Sequence, residues 1–136
     1  MSQRLRNVLL GTASLVLGGF IYVMFRENAF IAKCFEQLEF ILRLRNMMGF
    51  CSNDFLKYYF PDFLWGFSLC CGLHVIYEPQ VKGSLMCGLM ALFCGIAWEL
   101  LQFWKFVGGT GDYVDIIMYL LASCTCIIIN LKERKK

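Results

Sequence analysis

The sequence predicts an all-α membrane protein: one domain over residues 1–136, with four transmembrane helices and an amphipathic interfacial helix between the first and the second. Three observations predict it. The chain is 59% apolar and 17% charged with a mean hydropathy of +0.60, too hydrophobic for a small soluble domain. Four apolar runs, at about residues 8–25, 61–77, 84–106 and 113–130, approach or reach the length that crosses a bilayer as a helix. The stretch 26–59 is too charged to span, yet it repeats Phe35, Leu38, Ile41 and Leu42 at helical spacing.

In the first run, Arg4 and Arg6 precede the uncharged residues Val8 to Phe25, the shape of a signal peptide or a first transmembrane helix. No A-x-A-like cleavage site follows, Arg26 comes directly after the run, and Lys33 before Cys34 does not suit lipoprotein cleavage. The expectation is an uncleaved signal anchor, with Gly11, Gly18 and Gly19 allowing close helix contact. The linker 26–59 alternates charges with apolar residues; an ordinary helix covering the space between two spans accounts for it as well as one lying in lipid does.

The second run opens with Pro61 and Asp62, which suit the first turn and the positive end of a helix. Asp62, Gly66 and Cys70 form a stripe of small and polar residues. His74, the only histidine, is twelve residues from Asp62, roughly 18 Å along a helix at about 1.5 Å per residue. That places it near the other surface, as an interfacial residue rather than a catalytic one. The third run carries Gly88, Ala91, Gly95, Glu99 and Gln102 on one stripe, so Glu99 is expected to point into the bundle. A carboxylate at that depth costs about 2.5–3.5 kcal/mol or more and needs a partner or a purpose. Trp98, Phe103, Trp104 and Phe106 gather near the end of this run, as aromatics do at the headgroup level. Gly108, Gly109 and Gly111 make a turn, and Asp112 and Asp115 stand at the start of the fourth run. There Asp115, Tyr119, Ala122 and Cys126 share a face.

Of the eight cysteines, Cys70, Cys71, Cys87, Cys94, Cys124 and Cys126 fall in apolar runs and read as small packing residues. Cys124 and Cys126 lack zinc-site spacing, which leaves Cys34 and Cys51 as the one pair suited to a bridge or a reactive thiol. The net charge of +3 is small and not arranged as a basic face, which excludes nucleic acid as a partner. Arg4, Arg6, Lys82, Lys132, Arg134, Lys135 and Lys136 fall on one side of a four-span topology. Arg26, Lys33, Arg43, Arg45, Lys57 and Lys105 fall on the other, mostly spread along the long linker. Density near helix ends favours cytoplasmic N- and C-termini.

Alternation then brings the start of the second span, the end of the third and the start of the fourth to one surface, the outer one in this topology. Asp62, Glu99, Gln102, Asp112 and Asp115 are the candidate binding residues, with Asp62, Glu99 and Asp115 as candidate ligands for a divalent cation. Acids at helix N-termini are common, but Glu99 sits late in its helix, where the dipole opposes it.

An aspartate opening one span, Glu-x-x-Gln late in the next, a glycine-containing loop and Asp-x-x-Asp opening the last resembles the VanZ-like family of small bacterial membrane proteins. Here the matching residues are Asp62, Glu99 with Gln102, and Asp112 with Asp115, within roughly residues 60 to 130. The resemblance implies a helical protein of the bacterial inner membrane, and its namesake is associated with low-level resistance to the glycopeptide teicoplanin. The chain departs from the family where many members carry a lysine and a histidine, at Phe63 and Gly66. It also has only Gly108 to Gly111 where many have an arginine. Both cationic positions are lost and a site rich in acids remains.

Three functions fit these residues. An acidic outer pocket can bind an envelope molecule such as a glycopeptide, glycolipid or lipid headgroup, with a role in antibiotic resistance or envelope protection. The acids and amide can instead form a structural network in an accessory subunit that meets a membrane partner or a second copy of itself. Or they can hold a metal, or act as acid and base, on a lipid-linked substrate. No Ser or Cys paired with a base supports the enzyme, so binding is expected first.

Overall fold

The computed structural model describes residues 2–25, 40, 43, 47, 53–77, 81–109 and 111–133. Among these, the regular elements are helices: α1 (Gln3–Phe25), α2 (Asp54–Tyr58), α3 (Phe60–Tyr77), α4 (Val81–Phe103) and α5 (Tyr113–Glu133). Three are long and apolar enough to cross a membrane: α1, residues Gly83–Phe103 of α4, and Tyr113–Lys132 of α5. The chain is thus a helical membrane protein by the length and composition of its helices. α3, at 18 residues, stands outside that set, diluted by Pro61, Asp62 and His74.

α3 is nevertheless the centre of the bundle, packing on α1, α4 and α5, while α4 and α5 also pack on each other. The core between them is built of small side chains, Cys70, Cys71, Ala91, Ala122 and Cys126, with Phe67. Small residues let helices approach closely where lipid offers no hydrophobic contrast to drive association. Gly95 shows the closeness: a Cβ there would lie 2.5 Å from the Tyr119 ring. Gly18 likewise receives the Trp65 indole, and Gly11 receives Cys71; Gly19, expected to join that contact, has nothing within 4 Å. The outward faces carry Leu15, Val16, Phe20, Phe93 and Ile117, all exposed, as suits a surface solvated by hydrocarbon.

The element bounds correct the sequence reading at several ends: α4 begins at Val81 rather than residue 84, α5 runs to Glu133 rather than residue 130, and two more differences bear on named side chains. α1 begins at Gln3, so Arg4 and Arg6 lie in its first turns rather than before it. α4 ends at Phe103, not Phe106. The Phe106 N–H donates to the Leu101 carbonyl at 2.9 Å and the Lys105 N–H to the Gln102 carbonyl at 2.9 Å, while Lys105 adopts φ 58°. These two bonds close the helix as a Schellman cap, with a lysine where glycine is the usual choice. Most of the linker expected to be amphipathic, with Cys34 and Cys51, lies outside the described residues. The part described is α2, capped by Asn53, whose Oδ1 accepts the Phe55 N–H at 3.1 Å.

Candidate functional site

The first turn of α3, the last turn of α4 and the start of α5 meet at one end of the bundle, around a chamber of about 760 Å³. Asp62, Glu99, Gln102, Asp112 and Asp115 all line it. Three separate elements thus deliver the five residues to one space, whose volume falls within the range of roughly 300–1,000 Å³ of small-molecule sites. Tyr22 from α1 and Tyr58 and Tyr59 from the α2 segment close it from the side, with Trp65, Trp98, Gly108 and Gly109 completing the wall.

Glu99 is 1% exposed, which its place on the small-residue face of α4 explains: Gly88, Ala91 and Gly95 on the same stripe are buried too. Its Oε2 accepts the Asp112 backbone N–H at 3.1 Å, tying the end of α4 to the start of α5. Asp112 is the N-cap of α5, its Oδ1 accepting the Val114 N–H at 3.0 Å. Its other oxygen accepts the Tyr59 hydroxyl at 3.4 Å. The Asp112 charge, with some burial, pushes the Tyr59 phenol above its ordinary value, so it remains a donor. Asp115, one turn on, is 8% exposed on the inner face. Asp62 Oδ1 accepts the Tyr119 hydroxyl at 3.1 Å, a contact between α3 and α5. Gln102 lies against the loop: a Cβ on Gly109, whose φ is +134°, would fall 2.6 Å from the Gln102 Oε1. Both the conformation and the space at this position call for glycine.

Chemically, the chamber presents four carboxylates, an amide, phenols and indoles. It offers acceptors to a cation or to hydroxyl groups, and no Ser or Cys nucleophile lies among its lining residues. The metal question has a different geometric answer. Among the described residues, the His, Cys, Asp and Glu set with three ligand atoms within 4.8 Å of one another is Cys70, His74 and Cys126, not the three carboxylates. In that set the ring of His74 already has partners, with Nδ1 2.8 Å from the Cys70 carbonyl and Nε2 2.8 Å from Ser84 Oγ. One tautomer serves both, donating at Nδ1 and accepting at Nε2.

His74 belongs to a second polar region, at the opposite end of the bundle, which sequence reasoning missed. It is 2% exposed, enclosed between helices, because Cys70, Ser84 and Cys126 surround it on α3, α4 and α5. Nearby, Asn130 Oδ1 accepts from Gln3 Nε2 at 3.0 Å, Arg6 Nη2 at 2.9 Å and Asn7 Nδ2 at 2.9 Å. Its own amide donates to the Cys126 carbonyl at 2.9 Å. Arg6, read as a flanking cation, turns inward instead and is 6% exposed. The available signal was the isolated amides, Asn7 and Asn130, one at each end of the chain inside apolar helices.

Comparison of the chain with protein-family models, with curated proteins and with solved structures finds no match in any of the three.

Proposed function

We propose that this protein is an integral membrane protein of the VanZ-like type that binds an envelope-associated molecule in the acidic chamber, through a cationic or polyhydroxylated group. In this reading α3 is a fourth span, the termini are cytoplasmic, the membrane is the bacterial inner membrane and the chamber opens outward. The observation that carries it is Glu99. A carboxylate late in a helix meets an unfavourable dipole, and here it is buried against a space with three more carboxylates on its walls. Hydroxyl-rich and ammonium-bearing groups are the complements of such a wall, and the phenols and indoles supply faces for cation–π or sugar stacking. Protection against a glycopeptide is the biological role the VanZ-like resemblance would attach to this binding.

The test uses purified protein in nanodiscs and saturation-transfer NMR with ethanolamine, glucosamine and glycerol as chain-free probes. The proposal expects at least one of them to bind, and Asp62→Asn with Asp115→Asn to weaken it by tenfold or so, about 1.4 kcal/mol. Binding by none of the three, or binding indifferent to both substitutions, contradicts it.

A second reading is favoured by two contacts. The Glu99 carboxylate holds the Asp112 N–H and Asp62 holds the Tyr119 hydroxyl, bonds that also serve to fix helix register in an accessory subunit. That reading expects Glu99→Ala to lose the fold and Glu99→Gln to keep both fold and function.

A further inference from the structure

We propose that the polar region around His74 is a structural metal site, in which Cys70 and His74 of α3 and Cys126 of α5 bind a thiophilic divalent cation such as Zn²⁺. It is separate from the acidic chamber and does not depend on how that chamber is read. One ligand atom from each of the three residues lies within 4.8 Å of the other two, and all three residues are buried. Cys70 and His74 are four residues apart and so share a face of α3. α5 packs on that helix and presents Cys126 to it.

The spacing of the donors is that of a coordination shell. With zinc bonds of about 2.3 Å to sulfur and 2.0–2.1 Å to nitrogen, the edges of a tetrahedron are roughly 3.5–3.8 Å. His74 Nδ1 is 3.8 Å from Cys70 Sγ and 3.8 Å from Cys126 Sγ. Cys71 Sγ, 3.7 Å from Cys126 Sγ, borders the shell on one side. A ring nitrogen has one proton or one lone pair to offer, and Nδ1 is already 2.8 Å from the Cys70 carbonyl. Hydrogen bonding therefore does not account for both sulfurs facing it, whereas a shared ion does.

The surroundings suit the bound state. The ion displaces the thiol protons of Cys70 and Cys126, two protons leave, and His74 binds as the neutral ring. Two thiolates and one divalent cation sum to zero, so the site brings no net charge into the bundle. Thiolate and imidazole donors select zinc over calcium or magnesium. Coordination through Nδ1 puts the ring proton on Nε2, where Ser84 Oγ at 2.8 Å accepts it and fixes the ring. The serine hydroxyl donates to Nε2 in the metal-free tautomer and accepts in the metal-bound one. The Cys70 carbonyl that Nδ1 gives up keeps its place in the helical ladder of α3. Asn130 Nδ2, 3.6 Å from Cys126 Sγ, supplies a donor to that thiolate. His74 is in the last turn of α3 and Ser84 in the first turn of α4, so an ion reaches the site from that end of the bundle.

The experiment uses the full chain in nanodiscs, reduced with a phosphine and stripped with a chelator, carrying Cys34→Ser and Cys51→Ser to remove the linker thiols. Zn²⁺ is titrated in competition with a chromophoric chelator, and Co²⁺ serves as an optical reporter, since thiolate ligation gives it a charge-transfer band in the near ultraviolet. The expected result is about one Zn²⁺ per chain, the thiolate band with Co²⁺, and a melting temperature that rises when Zn²⁺ is added. Cys70→Ala and Cys126→Ala keep small residues in the core and should each weaken binding about tenfold or more, with helicity by circular dichroism unchanged. Cys94→Ala and Cys124→Ala, at exposed positions, should leave it as it was. Failure of the folded protein to take up Zn²⁺ overturns the proposal, as does binding that Cys70→Ala and Cys126→Ala leave intact. Should either variant lose its helicity, the Co²⁺ spectrum of the parent decides: metal bound without the thiolate band sits on carboxylates elsewhere, and the assignment falls.

Discussion

At one end of the bundle Asn130 gathers three donors from α1 onto one amide oxygen; at the other Glu99 accepts the Asp112 backbone N–H and faces a chamber of about 760 Å³. Both ends bury polar groups inside apolar helices, and the way each is satisfied differs. The Asn130 end sets amide and guanidinium donors of α1 on one amide oxygen of α5 at 2.9–3.0 Å, and His74 of α3 on the Ser84 hydroxyl of α4 at 2.8 Å, which suits a fastening. The Glu99 end collects four carboxylates around a space of about 760 Å³. The lesson is that burial of polar residues alone does not mark a site. The marks are like charge and room.

Substitutions can break that comparison, and the largest effect is expected at Asn130. Asn130→Leu leaves the donors of Gln3, Arg6 and Asn7 without their shared acceptor and should destabilise the fold by about 2–4 kcal/mol, given about 1–3 kcal/mol per stranded buried donor and partial relaxation. Unfolding in detergent, followed by circular dichroism, measures it. If Asn130→Leu costs less than neutralising a chamber carboxylate, the assignment of the two ends is reversed.

Next comes Gly95→Leu. Its side chain must displace the Tyr119 ring, so a loss of about 1–3 kcal/mol is expected from overpacking. Loss of the Tyr119–Asp62 bond should accompany it, read as a changed tyrosine absorption or Raman band. Glu99→Ala should cost about 1–2 kcal/mol by stranding the Asp112 N–H. Glu99→Gln retains an acceptor and should cost under about 1 kcal/mol, so the difference between the two variants isolates the structural use of Glu99 from its charge. The smallest effect is a gain. Lys105→Gly relieves a left-handed residue at the α4 cap and should stabilise by about 0.5–1 kcal/mol, seen as a higher melting temperature in the same assay.

Much of the chamber was legible in the sequence because helical periodicity and alternation are local rules. Glu99 with Gln102, and Asp112 with Asp115, could be placed on faces by counting, and antiparallel helices joined by a glycine turn had to bring them together. The N-cap role of Asp112 and the buried stripe through Asp115, Tyr119, Ala122 and Cys126 follow from the same rules. The aromatic wall was not legible. Tyr22, Tyr58, Trp65 and Trp98 sit near helix ends, where a membrane belt predicts the same residues, so only packing separates lining from anchoring.

The Asn130 network was hidden for another reason. Arg6 and Asn130 are 124 residues apart, and whether Arg6 turns inward depends on the rotation of α1 about its axis. Flanking cations usually point to headgroups, and that prior misplaced it. The same limit applied to His74. Its depth along α3 was estimated well enough, but depth does not say which face it occupies, and Ser84 on α4 supplies the partner that holds it inside.

The most direct test of the account is a high-resolution map of the protein in a lipid nanodisc, inspected between Asp62, Glu99, Gln102 and Asp115. The account predicts non-protein density touching at least two of the carboxylates and consistent with a cationic or hydroxyl-bearing group. A chamber holding only water, or collapsed so that the acids meet protein donors alone, would contradict it and make the Glu99 end a second fastening like the one around Asn130.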